Sequence, residues 1–177
     1  STLTLENTAL VIDKLPKLII LYRNSFIITG MTVALVLIVS SLAGFVFARL
    51  KFPGKEIFFW LVVTSMFMPK SMMIPGLYEV LNNFDLIDTL AGLYLPYTGW
   101  FLSLNVFIMR SAFASIPKDL EDAAVIDGAS PLRLYWQLML PLVATSTVTV
   151  AILTFVPVWG EYLYAFTFTT KLSAMPI

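Results

Sequence analysis

The sequence predicts an all-α polytopic membrane protein with four transmembrane helices, and three observations carry that expectation. Hydrophobic residues make up 59% of the chain and charged residues 12%, where soluble domains carry roughly a quarter. The charges are segregated. No charge falls between Arg23 and Arg49, and none between Arg133 and Glu161, and each gap exceeds the ~20 residues a membrane helix needs. Finally, basic residues gather in short loops between apolar runs, as they do on the cytoplasmic side of membrane proteins.

Residues 1–23 are mixed. Glu6, Asp13, Lys14, Pro16, Lys17 and Arg23 interrupt any apolar run, so this segment reads as an external connector with a short interfacial helix at 15–21 as an alternative. The first span is 24–48. Ser40, Gly44 and Ala48 recur every fourth residue along it, a small-residue stripe on which a second helix can pack closely. Arg49, Lys51 and Lys55 then mark a cytoplasmic turn.

The second span is 57–78, with Pro69 expected to kink it. Lys70 lies about 20 Å of helix above Ile57, where its ammonium can snorkel outward or line a solute path. Met66, Met68, Met72 and Met73 read as adaptable packing. The next loop carries Glu79, Asp85 and Asp88 without Lys or Arg, as suits the outside. The third span is 89–109, expected to be interrupted at Pro96 and Gly99. Asn105 is its strongly polar residue and is expected to bond a neighbouring helix, with a solute contact as the alternative. The fourth span is 140–160, loosened by Pro157 and Gly160. Glu161 falls at its outer rim, followed by an aromatic stretch suited to a membrane interface. Residues 171–177 read as an external tail. Asn105, Lys70 and Glu161 are the candidates for a pathway wall.

Composition excludes several functions. The chain has no Cys and no His, which removes disulfides, thiolate zinc sites and imidazole chemistry. Net charge is zero, so nucleic-acid binding has no electrostatic support. Gly54-Lys55 is preceded at the phosphate-loop spacing by Arg49 rather than Gly, so no ATP-binding loop is present. A membrane-embedded enzyme lacks acids, His and Cys inside the spans. A secondary transporter or channel has only Lys70 as an intramembrane charge.

The most patterned stretch is the loop 110–141. Pro117 suits a first helical position. Asp119, Glu121 and Asp122 load the first turn with negative charge, favourable at a helix N-terminus. Gly128 can take the left-handed conformation that stops the helix. Ser130-Pro131 restarts it as cap and first residue. An acidic helix is repelled by anionic lipid heads, so docking on another protein is favoured over lying on the bilayer.

This loop resembles the EAA loop of binding-protein-dependent ABC importer permeases. Asp122-Ala123-Ala124 is followed after three residues by Gly128, and after nine more by Leu138, Met139, Leu140 and Pro141. Asp122 stands where Glu is usual and Leu138 where Ile is usual. Asn24-Ser25, Ala48-Arg49 with Phe52 and Gly54, Pro69 with Ile74-Pro75 and Tyr78, Asp88-Thr89-Leu90 with Gly92, and Trp159-Gly160-Glu161-Tyr162 resemble the MalG-like carbohydrate-uptake branch. That branch usually has Asn in place of Gly160 and often in place of Asp88.

The resemblance implies a type I importer permease fold. It makes this chain the middle four spans of a six-helix subunit, lacking a span on each side, in the cytoplasmic membrane of a prokaryote. It implies partners: ABC ATPase subunits, a second related permease subunit and an external solute-binding protein, all in a lipid bilayer. It implies no cofactor on this chain, with ATP and Mg on the ATPase. Leu120, Glu121, Asp122, Ala123, Ala124, Asp127 and Gly128 become the expected docking residues for that ATPase. Within them, Leu120, Ala123 and Ala124 form the expected contact face, and Asp122 caps or pairs with a basic residue. The expected solute is a sugar or oligosaccharide, with glycerol phosphate, polyamine, amino acid or peptide as alternatives.

Overall fold

The computed structural model describes residues 5–171 and 174–176, with side chains from Lys17 onward. Part of the connector and of the expected 171–177 tail therefore lies outside the described residues. Where it is described, the chain is helical without strands.

Helix α1 runs unbroken from Leu5 to Arg49. The expected break between connector and first span is absent, and the helix is already apolar enough to cross a membrane from Lys17. Its buried side is a stripe of small and polar residues: Ser25, Thr29, Thr32, Val36, Ser40 and Gly44. These recur at three- and four-residue steps, so they share one face.

That face packs along α4 (Ala91–Ala114). Gly44 is the point of closest approach. A Cβ there would lie 2.6 Å from Met109 Cβ and 2.8 Å from the Arg110 nitrogen. The small-residue stripe thus does what the sequence indicates: it lets two backbones meet where a methyl group would not fit. Pro96 and Gly99 do not interrupt α4, which continues through both.

The second span differs from expectation. Helix α2 (Lys55–Thr64) gives way to a 3₁₀ turn at Ser65–Phe67, and the chain then breaks at Met68-Pro69 with extended backbone. A second 3₁₀ turn, Lys70–Met73, leads into α3 (Ile74–Asn83). The two halves meet at 98°. Pro69 marks the break as expected, because its ring disfavours helical geometry at the preceding residue. The result is a turned corner rather than a kinked rod.

Beyond α4, α5 (Lys118–Ile126) turns away by 73°. Then come α6 (Pro131–Leu134), a π-helical turn at Tyr135–Met139, and α7 (Leu140–Leu142). A 76° bend at Val143 opens α8 (Ala144–Trp159), which packs on both α1 and α4. Helix α9 (Leu163–Phe168) closes the bundle. Only Lys17–Arg49 qualifies as a straight crossing helix among the described residues, and each of the three bent pairs qualifies if counted as one span.

Two larger clusters form the core. Phe45, Met109, Phe113, Tyr135, Met139 and Val150 pack at the loop end of the bundle. Ile28, Leu93, Tyr97, Tyr164 and Phe168 pack at the opposite end. Much of the remaining helix surface is apolar and exposed, including Ile38, Leu42, Trp60, Leu61, Trp136 and Ile152. Such a surface suits lipid or another membrane subunit rather than water.

Candidate functional site

The loop between α4 and α8 builds a helix that stands off the bundle. Pro117 is extended, at ψ 136°, and serves as N-cap. The helix therefore starts one residue later than the proline position suggests. Gly128 has φ +78° and open space around it. It donates to Val125 O at 3.0 Å, and Ala129 donates to Ala124 O at 3.0 Å. These are the two crossed bonds of a Schellman stop, which satisfies carbonyls the helix end would leave bare. Ser130 then caps α6, its side chain accepting from the Arg133 N–H at 3.3 Å, with Pro131 in the first turn.

Helix α5 buries no side chain fully, and its two sides differ. The inward side carries Ala124, half-buried against the loop-end core, and Glu121, whose carboxylate accepts from Arg49 Nη1 at 3.2 Å. The outward side presents Asp119, Asp122, Ala123 and Ile126 at helical spacing, all exposed, with Ile126 at 85%. Of the expected contact face, Leu120 and Ala123 are exposed, and Ala124 is half-buried against the chain's own core. Glu121 is held by Arg49. Asp122 makes neither a cap nor an ion pair among the described residues; it projects outward. Asp127 is the exposed C-cap, bonded through its N–H to Ala123 O at 3.0 Å.

Arg49 is the residue that sequence reading passed over as one more cytoplasmic charge. Its side chain is 9% exposed. Besides Glu121, it donates through Nη2 to Phe113 O and Ile116 O, each at 2.6 Å. Ala48-Arg49 belongs to the residues of the family resemblance, which was the available signal. A second polar tie joins Tyr135 OH and Ser41 Oγ at 2.7 Å.

The pathway candidates do not come together. Asn105 is fully buried and donates to Thr154 Oγ1 of α8 at 3.1 Å and to Phe101 O at 2.8 Å. It makes the expected helix-to-helix bond. Glu161 is half-buried, accepts from Tyr97 OH, and receives the Tyr164 N–H at 3.2 Å. It fastens α9 to α4. The Lys70 ammonium does not extend away from the protein. It lies 4.6 Å from the Trp100 ring centre and 4.8 Å from that of Phe101, within cation–π range. Trp100 also lines a cavity of about 300 Å³ with Ser65, Met68, Met73, Ser103 and Tyr164. Lys70 and Glu161 each touch a residue that lines this cavity, Lys70 the Trp100 ring and Glu161 the Tyr164 N–H, while Asn105 bonds Phe101 and Thr154 instead.

At the opposite end, Asp88 has φ +59°, a left-handed conformation that Asp and Asn tolerate better than most residues. Its carboxylate accepts from the Lys171 N–H at 3.0 Å and from the N–H and hydroxyl of Thr170. Those backbone donors hold its carboxyl below the ordinary value of 3.8.

The chain belongs to the binding-protein-dependent transport system inner membrane component family, which it matches over residues 40–177. That family is one of transport-system membrane components rather than of enzymes. The chain is 35% identical over 146 residues to a probable ABC transporter permease of Pyrococcus horikoshii, an alignment covering 82% of this chain and 53% of that one. It is 32% identical over 148 residues to the trehalose/maltose transport system permease MalG of Thermococcus litoralis, covering 84% and 53%. It is 31% identical over 150 residues to the sn-glycerol-3-phosphate permease UgpE of Yersinia pestis, covering 85% and 53%. The chain thus spans about half the length of these curated relatives. Its fold is that of a bacterial ABC transporter involved in alginate import, at a TM-score of 0.81 and 22% identity, covering 90% of this chain and 56% of that one.

Proposed function

We propose that this chain is a permease subunit of an ATP-driven, binding-protein-dependent importer of sugars or oligosaccharides, forming half of the translocation pathway. The observation that carries the reading is α5. It is a short helix with a defined start and stop, set between two spans, and it offers an unpartnered outward face. On this reading that face docks on an ABC ATPase subunit, in a cytoplasmic membrane crossed several times by the chain. ATP-driven closure of the ATPase pair then moves the spans between inward- and outward-facing arrangements. A second related permease completes the pathway, and an external binding protein delivers solute.

Relatives named for trehalose, maltose and diacetylchitobiose transport support a sugar. The glycerol-phosphate permease among the relatives, together with Lys70 beside the Trp100 cavity and without a carboxylate partner among the described residues, favours an anionic polyol as the second reading. The test is ATP hydrolysis by the reconstituted transporter with its cognate binding protein. Maltose, trehalose and sn-glycerol 3-phosphate are supplied in turn. Stimulation by a neutral disaccharide supports the first reading, and stimulation by sn-glycerol 3-phosphate alone supports the second. Lack of any ATPase association with the permease pair contradicts both.

A further inference from the structure

We propose that Arg49 is a positioning residue for the loop helix: its guanidinium orients α5 and passes the displacement of α5 into α1 and α4. The proposal rests on the importer reading above and adds the link between docking helix and spans.

The guanidinium stands where three elements meet. It is carried by the last residue of α1. Through Nη2 it holds Phe113 O, near the end of α4, and Ile116 O, in the linker to α5. Through Nη1 it holds Glu121 on α5 itself. A cation suits the negative end of the α4 dipole and the bare carbonyls there. The planar fork of Arg, unlike an ammonium, can grip several acceptors in fixed directions.

Helix α5 needs such a tether. At 9 residues it is too short to persist by its own propensity, and Ala124 is its contribution to core packing. Orientation therefore depends on a few directional bonds. The guanidinium is mostly withdrawn from solvent, so the pair with Glu121 is screened less than a surface ion pair. It is also firm enough to transmit a push. A docking helix tied only to its own flanking loops would swing without moving the spans.

The experiment uses the full-length permease pair with its ATPase and binding protein in liposomes. In a background freed of any other cysteine in the full-length subunits, Val125→Cys, exposed and off the outward face, places a single spin label on α5. Arg49→Gln is expected to leave membrane abundance, ATPase co-purification and basal hydrolysis in place. It should lower binding-protein stimulation about tenfold, within the range of site-to-site coupling, and widen the orientations of the Val125 label. Arg49→Lys should fall between Gln and the parent chain. Glu121→Gln keeps an acceptor and should lose less than Arg49→Gln. It also tests the same link should Arg49→Gln fail to insert.

The stimulating solute is whichever of maltose, trehalose or sn-glycerol 3-phosphate activates the unaltered complex. Stimulation within about twofold of the parent, with unchanged label mobility, overturns the proposal. If the unaltered complex is not stimulated at all, the importer reading is at fault, and the label alone still decides whether Arg49 orients α5.

Discussion

The two ends of the molecule hold their short helices in opposite ways. At one end α9, with 6 residues, buries Tyr164, Ala165 and Phe168. It is also pinned by Glu161 to Tyr97, and by Tyr164 OH to Lys70 O at 2.7 Å. At the other end α5 is longer yet buries nothing fully, and hangs on the Arg49–Glu121 pair, a Schellman stop and one half-buried alanine. A helix packed like α9 is part of the body. A helix held like α5 keeps one face exposed, which suits the docking proposed for it. The same contrast separates the glycines. Gly44 is required by contact, because a Cβ would strike α4. Gly128 is required by conformation alone, because space around it is open but φ is +78°.

Substitutions at these glycines should therefore fail differently. Gly44→Ala forces Met109 and the Arg110 backbone aside and should cost about 1–3 kcal/mol, as overpacking does. Gly44→Leu should prevent α1 and α4 from packing. Thermal unfolding in detergent and membrane abundance both report the loss, and parental stability in Gly44→Leu would refute the close crossing. Gly128→Ala should cost roughly 1–2 kcal/mol of left-handed strain, with Gly128→Val worse. Both should insert normally and lose binding-protein-stimulated ATP hydrolysis before they lose stability. If Gly128 were helical, Ala would instead improve stability by about 0.8–1.0 kcal/mol.

A smaller effect distinguishes the polar ties. Tyr135→Phe removes the bond to Ser41 and leaves the ring in its packing with Phe45 and Phe113. It should cost about 0.5–1.5 kcal/mol, the usual net value of one hydrogen bond, measured by denaturation in detergent. The smallest effect is at the far end. Asp88→Asn keeps an acceptor for Thr170 and Lys171 and tolerates φ +59°, so it should be near neutral at pH 7, whereas Asp88→Ala should loosen the segment after α9. The sign with pH follows from a depressed carboxyl. The ionised latch contributes fully above the ordinary value of 3.8 and is lost as pH falls through the lower folded value. A spin label attached at neutral pH to Lys171→Cys, which keeps the Thr170 donors, should therefore gain mobility on acidification through that range in the parent background and stay flat in Asp88→Asn.

Legibility in the sequence followed the reach of each interaction. Gly128, Ser130 and Pro131 were readable because stops and caps involve residues within a turn of one another. The Gly44 contact was readable from a four-residue repeat of small side chains. The 98° corner after α2 was not, because hydropathy records how long an apolar run is and not its direction; Pro69 gave the place and not the angle. Pro96 misled in the other direction, since α4 absorbs it without breaking. Arg49 was hidden because its partners lie 64 to 72 residues away. The inward turn of Glu121 and Ala124 was hidden with it.

The outward and inward sides of α5 give the account its most direct test. In a background freed of other cysteines in this subunit and its permease partner, Ala123→Cys and Ala124→Cys can each carry a single short bifunctional cross-linker in the assembled transporter. The two positions are adjacent in sequence and about 100° apart around the helix, with Ala123 exposed and Ala124 half-buried. The account predicts that Ala123→Cys cross-links to the ATPase subunit in high yield and that Ala124→Cys yields little ATPase adduct. Equal yields, or a higher yield from Ala124→Cys, would contradict the outward docking face.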